Sequence, residues 1–123
     1  MSIDIMALVK RYHGALNGYD EKVVKALFAP GAIYVSPGVN GRIEGRDAII
    51  AAFNIYFADH PDQQAVDEAL DIISPHQLRA RWRLEATRRS TGQRITRRGV
   101  ETITFDQAGL IAHVLVEDLV SQS

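Results

Sequence analysis

An α+β domain, with helices gathered on one face of a curved antiparallel sheet, is predicted by three features of this 123-residue sequence. Apolar residues in its first half recur at helical spacing. From Gln64 onward the period changes to two. Turn-forming residues mark the boundaries between these runs, giving the order ααβαββββ with the helices segregated at the front.

Each element follows from local chemistry. Ser2 can cap a first helix whose apolar stripe is Ile5, Leu8, Val9, Tyr12 and Leu16, and "NGYD" ends it at Gly18. Asp20 caps a short second helix with Val23, Val24, Leu27 and Phe28 turned inward. "PGAIYVSPG" is a brief strand between breakers. A third helix starts after Gly45 with Ile49, Ile50, Phe53, Tyr56 and Phe57 as its stripe, and His60-Pro61-Asp62 stops it. A strand from Gln64 to Ile73 follows, then "SPH" turns the chain. Leu78, Ala80, Trp82, Leu84 and Ala86 next alternate with Arg79, Arg81, Arg83, Glu85 and Thr87. "STGQ" and "DQAG" are hairpin turns on either side of Ile95 to Phe105, and Leu110 to Leu119 is the last strand.

Composition bounds the function. The length suits a single domain over residues 1–123 that can bury a core. Hydrophobic residues at 46% and charged residues at 24% are the balance of a soluble globule. A net charge of −1 gives no electrostatic case for nucleic acid or an anionic membrane. The arginines between Arg79 and Arg98 mostly alternate with apolar residues, which reads as a solvated sheet face. With no cysteine there is no disulfide, thiolate metal site or thiol nucleophile. The histidines lack metal-ligand spacing with a nearby acid, so no metal and no cofactor is expected. "MSIDIMALVK" lacks the order of a signal peptide, no apolar run has membrane-spanning length, and the expectation is a cytoplasmic protein.

One strand carries an oddity. In "RGVETITFD", Glu101 shares a face with Ile103 and Phe105. An unpaired buried charge costs several kcal/mol, so this carboxyl neutralises, finds a partner, or lines a cavity.

The element order, with "LFAPGAIYVSPG", "IEGRDAIIAAF" and "ETITFDQAGLIAHV", resembles the nuclear transport factor 2-like superfamily, and within it the ketosteroid isomerases and SnoaL-like polyketide cyclases. The resemblance covers nearly the whole chain. It implies a cystatin-like cone, a sheet wrapped on a long helix with an apolar pocket at the open end, often paired as a homodimer. Ketosteroid isomerases use an Asp base and an oxyanion hole made of a Tyr and a protonated Asp. The resemblance places the tyrosine at Tyr12, after Arg11, and the protonated acid at Glu101, four residues before Phe105. Both would donate to a developing enolate oxygen. The family's base, before a proline on the first strand, falls on Ser36 before Pro37, and a serine hydroxyl is no base near pH 7 unless activated.

Another carboxylate can take that role. On the last strand Leu110, Ala112, Val114, Val116 and Asp118 form the cleaner apolar face, which turns Asp118 inward. If Asp106 and Gly109 face each other across the turn, Arg97 lies opposite Asp118 and Val114 opposite Glu101. Asp118 is then a base or the partner of Arg97 in an ion pair. Epoxide hydrolases of the superfamily use an Asp-Arg-Asp set, but their arginine falls on Gly99 here. His13 stands off the helix stripe, His60 and His76 neighbour prolines in turns where solvated side chains are the norm, and His113 belongs to the outer face.

The expected function is therefore a pocket for a small apolar, carbonyl-bearing molecule with isomerase- or cyclase-like proton transfer. Tyr12, Glu101 and Asp118 are the candidate catalytic residues, and Ser36, Phe53, Trp82, Arg97, Val114 and Val116 the candidate ligand contacts. A non-catalytic binding or dimerisation module is the rival, favoured by Ser36. Val100, Ile111, His113 and Leu115 on the outer sheet face predict a two-fold dimer.

Overall fold

The computed structural model describes residues 4–37 and 41–119. Its elements run α1 (Ile5–Leu16), α2 (Glu21–Leu27), β1 (Phe28–Ser36), β2 (Gly41–Glu44), α3 (Arg46–Asp59), β3 (Gln64–Ser74), β4 (Gln77–Thr87), β5 (Arg94–Phe105) and β6 (Ile111–Asp118). The three helices precede most of a six-stranded sheet of order β2-β1-β6-β5-β4-β3. The α+β expectation holds, with the helices against one side of a curved sheet.

The local reading departs from the structure in a few places, each for a physical reason. Ser2 lies outside the described residues, and Asp4 caps α1 by accepting from the Ala7 N–H at 3.1 Å. Asp20 caps α2 as expected, accepting from Val23. Phe28 is the first residue of β1, not the last of α2: its φ of −93° and ψ of 141° are already extended, and it stays buried in either role. The added strand β2 pairs with β1 from Ile33–Glu44 to Ser36–Gly41. Four residues holding a glycine and two charges show no alternation to read. One contact in the sheet, β1 with β6, is parallel; the other strand pairs are antiparallel.

Sheet curvature brings α1 against β3 and β4, and α3 against β1 and β2. The alternation on β4 is borne out residue by residue: Leu78, Ala80, Trp82, Leu84 and Ala86 are buried, and Arg79, Arg81, Arg83 and Glu85 are exposed. Opposite them on β5, Gly99, Glu101, Ile103 and Phe105 are buried.

The β5–β6 register differs from the expected one by two residues. Glu101 faces Val116 and Gly99 faces Asp118, in place of Val114 and Arg97. Two one-residue slips produce this. The turn closes between Asp106 and Leu110, with Gly109 at a φ of 84°, so it holds three residues and not two. A bulge then leaves Ala112 unmatched between the pairs Phe105–Ile111 and Thr104–His113. The first slip reverses the faces and the second restores them. Val114 and Val116 therefore face the core as expected, whereas Ile111, expected outside, is buried there.

Candidate functional site

A half-open cavity of about 90 Å³ lies between α1, α3 and the concave face of the sheet. Its walls are mostly apolar, with Tyr34, Phe53, Phe57, Trp82, Leu84 and Val116 among them. The polar groups are few, as in most small-molecule sites: Ser36, Gln63, Arg97 and a connected set of three.

That set is His13, Asp67 and Glu101. The His13 ring bonds Glu101 Oε1 through Nε2 at 2.6 Å, and both oxygens of Asp67 through Nδ1 at 2.8 and 2.9 Å. Side-chain exposure is 14% for His13 and 5% for Glu101. Burial works against a charged imidazole, but the two carboxylates outweigh it and push the His13 pKa up to about 10. At neutral pH an imidazolium is therefore clamped between two carboxylates. This answers the question of the buried Glu101: it has found a cation, and the neutral donor implied by the resemblance is not needed to account for its burial.

His13 does not stand off the helix stripe as its sequence surroundings suggest: Ile5, Val9 and His13 lie four apart on one face, and its ring turns into the site. Asp67, the third member, lies two residues from Ala65 on the same side of β3 and faces Trp82 across the ladder. His60 is likewise buried, not solvated: its ring stacks on Tyr56 at 4.2 Å, and its Nδ1 bonds the Tyr56 carbonyl.

The other candidates fall in three places. Glu101, Ser36, Phe53, Trp82, Arg97 and Val116 line the cavity together. Ser36 is buried at the end of β1. Tyr12 and Val114 are fully buried in the core behind the cavity wall. The Tyr12 ring packs edge-on against Phe28, and its hydroxyl has no hydrogen-bond partner among the described residues. Burial, with Tyr34 and Glu101 nearby, raises its pKa well above the usual 10. Asp118 is exposed at the rim, where its Oδ1 accepts from Arg97 Nη2 at 2.6 Å. The contact is diagonal, because Asp118 pairs in register with Gly99.

Gly99 explains why the hydrolase-like arginine is missing. The Trp82 indole packs against this glycine, so close that a Cβ there would sit 2.5 Å from Cζ2 and 2.7 Å from Cη2. Arg97, two residues earlier, covers the indole with its guanidinium 5.7 Å from the ring centroid.

A half-open apolar pocket between three helices and the concave side of a curved six-stranded sheet defines the nuclear transport factor 2-like class. Residues 9–114 match the SnoaL-like domain, and the chain belongs to that family. The structure is similar to a Delta 5-3-ketosteroid isomerase from Mycobacterium sp., with a TM-score of 0.80 at 21% identity over 92% of this chain and 91% of that one. It is also similar to a Mycobacterium tuberculosis protein in complex with estradiol-17beta-hemisuccinate (TM-score 0.80, 20% identity, 90% of each chain). An epoxide hydrolase/cyclase-like enzyme of pyran ring formation in the polyether salinomycin gives a TM-score of 0.81 at 19% identity, over 93% of this chain and 89% of that one. At these identities the likeness is one of fold. No match is found among curated proteins. No helix among the described residues is long and apolar enough to cross a membrane.

Proposed function

We propose that this protein binds a small, largely apolar, carbonyl-bearing molecule and moves a proton next to the carbonyl, as an isomerase or cyclase does. One observation carries the reading: the His13 imidazolium bridges Glu101 and Asp67 at the wall of an apolar pocket. A structural ion pair does not need a second carboxylate or a place on a cavity. Glu101 is the base, and His13 the cation that faces the developing enolate. When Glu101 takes the proton it becomes neutral, which leaves the imidazolium charge to the enolate oxygen. Asp67 is a positioning residue that fixes the ring and keeps it protonated. The base role considered for Asp118 passes to Glu101, since Asp118 stands at the rim against Arg97. The oxyanion role considered for Tyr12 passes to His13, since the Tyr12 hydroxyl is buried outside the cavity lining.

Deuterium exchange into small ketones, followed by proton NMR in heavy water, tests this. Wild type should exchange the positions next to the carbonyl, and Glu101→Gln should slow that about 10²- to 10⁴-fold, the usual contribution of a general base. If wild type binds ketones yet exchanges none, the second reading stands: a non-catalytic binder, favoured by Ser36 at the family's base position.

The same reading includes a two-fold dimer through the outer sheet face. Its apolar part is Val100 and Leu115, with His113 beside them and Ile111 removed to the core. Light scattering should give twice the 13.6 kDa of one chain.

A further inference from the structure

The cavity is too small to enclose the whole of such a ligand. About 90 Å³ is less than the roughly 150 Å³ of an apolar cavity that admits benzene. The far end of any ring- or chain-bearing ketone therefore passes out through the mouth. Exposure rises along β5 in that direction, from 5% for the Glu101 side chain to 22% for Arg97, with Asp118 beyond at 37%.

The mouth is built around one cation. Arg97 lies over the Trp82 indole, stands near Tyr56, and donates to Asp118 at 2.6 Å. The guanidinium is thus held in place before any ligand arrives, and the Asp118 carboxylate already shows what kind of group it accepts. Deeper in the pocket the charge has the opposite sign, because His13 is outnumbered by Glu101 and Asp67.

We propose that the mouth is a carboxylate subsite: Arg97 receives the acidic end of a keto acid in competition with Asp118, while the ketone lies inside next to Glu101. This rests on the pocket reading above, and it narrows the substrate class to small oxo acids with an apolar spacer. The inner carboxylates repel the acidic end and so fix which way round the molecule enters. Asp118 keeps Arg97 paired when the pocket is empty, and because it stands exposed at the rim, water solvates it at little cost when another carboxylate takes its place on Arg97.

Calorimetric titration with 6-oxoheptanoate and its neutral amide tests the subsite. Wild type should bind the acid about tenfold more tightly than the amide, a preference that weakens as salt rises. Arg97→Gln should erase the preference, and Asp118→Asn, which removes the competing carboxylate, should enlarge it. Equal binding of the two probes, no binding of the acid at millimolar concentration, or a preference unmoved by Asp118→Asn would overturn the proposal. Deuterium exchange is read separately. A charge preference without exchange sinks the enzyme and leaves the subsite, whereas exchange without the preference does the reverse.

Discussion

His13 and Glu101 stand 88 positions apart in the chain and meet at 2.6 Å, Nε2 to Oε1, where the middle of β5 passes the last turn of α1. The contact ties the helix layer to the sheet through charge, and it sits on the cavity wall. A buried charge survives only with such partners, so fold and site depend on the same atoms here.

Stability should therefore depend on pH with a definite sign. The His13 pKa rises on folding from 6.5 to about 10. Below pH 6.5 both folded and unfolded chains carry the proton, and the contribution is fully present. As pH rises toward 10 the unfolded chain releases a proton that the folded one keeps, so stability falls, and beyond 10 the contribution is gone. Urea unfolding at pH 6, 8 and 10 should show a declining midpoint. His13→Gln should flatten that decline, while costing about 3–5 kcal/mol near neutral pH because two buried carboxylates lose their cation. A midpoint that holds level across this range in wild type would show that folding leaves the His13 pKa where it was.

Gly99→Ala should disturb the pocket floor. The new methyl would meet the Trp82 ring at 2.5 Å and the Glu117 carbonyl oxygen at 3.0 Å, so the indole must move. Overpacking of this kind costs about 1–3 kcal/mol. Trp82 is the one tryptophan in the chain, so its emission reports the shift directly. An unchanged spectrum and unchanged stability would mean that the indole does not rest on Gly99.

Much of this fold was legible because periodicity is a local signal. The β4 alternation and the α1 stripe follow from burial of one face, and they appear in the sequence as spacing. Glu101 was visible for the same reason, as a carboxylate out of place among apolar residues. Its partner was not, because the contact spans two distant elements; only the four-residue row of Ile5, Val9 and His13 pointed inward. The β6 faces were right through two slips that cancel, one in the turn and one at Ala112. Neither slip has a sequence mark strong enough to place it, and Ile111 was assigned to the wrong face as a result. Asp67 was hidden in a strand whose alternation is weak and whose register slips at Glu68 and again at Ile73.

Tyr12→Phe separates the resemblance from the structure. A tyrosine that donates to a bound oxygen loses about 1–3 kcal/mol of ligand binding when its hydroxyl is removed. In this fold the hydroxyl is buried outside the cavity lining, with no partner among the described residues. Removing it takes away an unsatisfied polar group, so stability should hold or rise. Phenol binding, followed by Trp82 emission, should stay within about twofold of wild type. A large loss of phenol affinity would restore Tyr12 to the site.

Asp67→Asn tests whether the second carboxylate acts through His13. The amide keeps the shape of the side chain and can still accept from Nδ1–H, but it brings no charge. Glu101 alone must then hold the imidazolium, so the His13 pKa should fall below its wild-type value of about 10 while remaining above 6.5. Nitrogen chemical shifts of the ring read this directly, with or without catalysis. If the enzyme reading holds, the alkaline limb of ketone exchange should move to lower pH by the same amount, because the imidazolium is what faces the enolate. Asp67→Glu should move both back toward wild type, since it restores the charge. A His13 titration that does not move in Asp67→Asn would leave Asp67 as a packing contact and Glu101 as the sole source of the raised pKa.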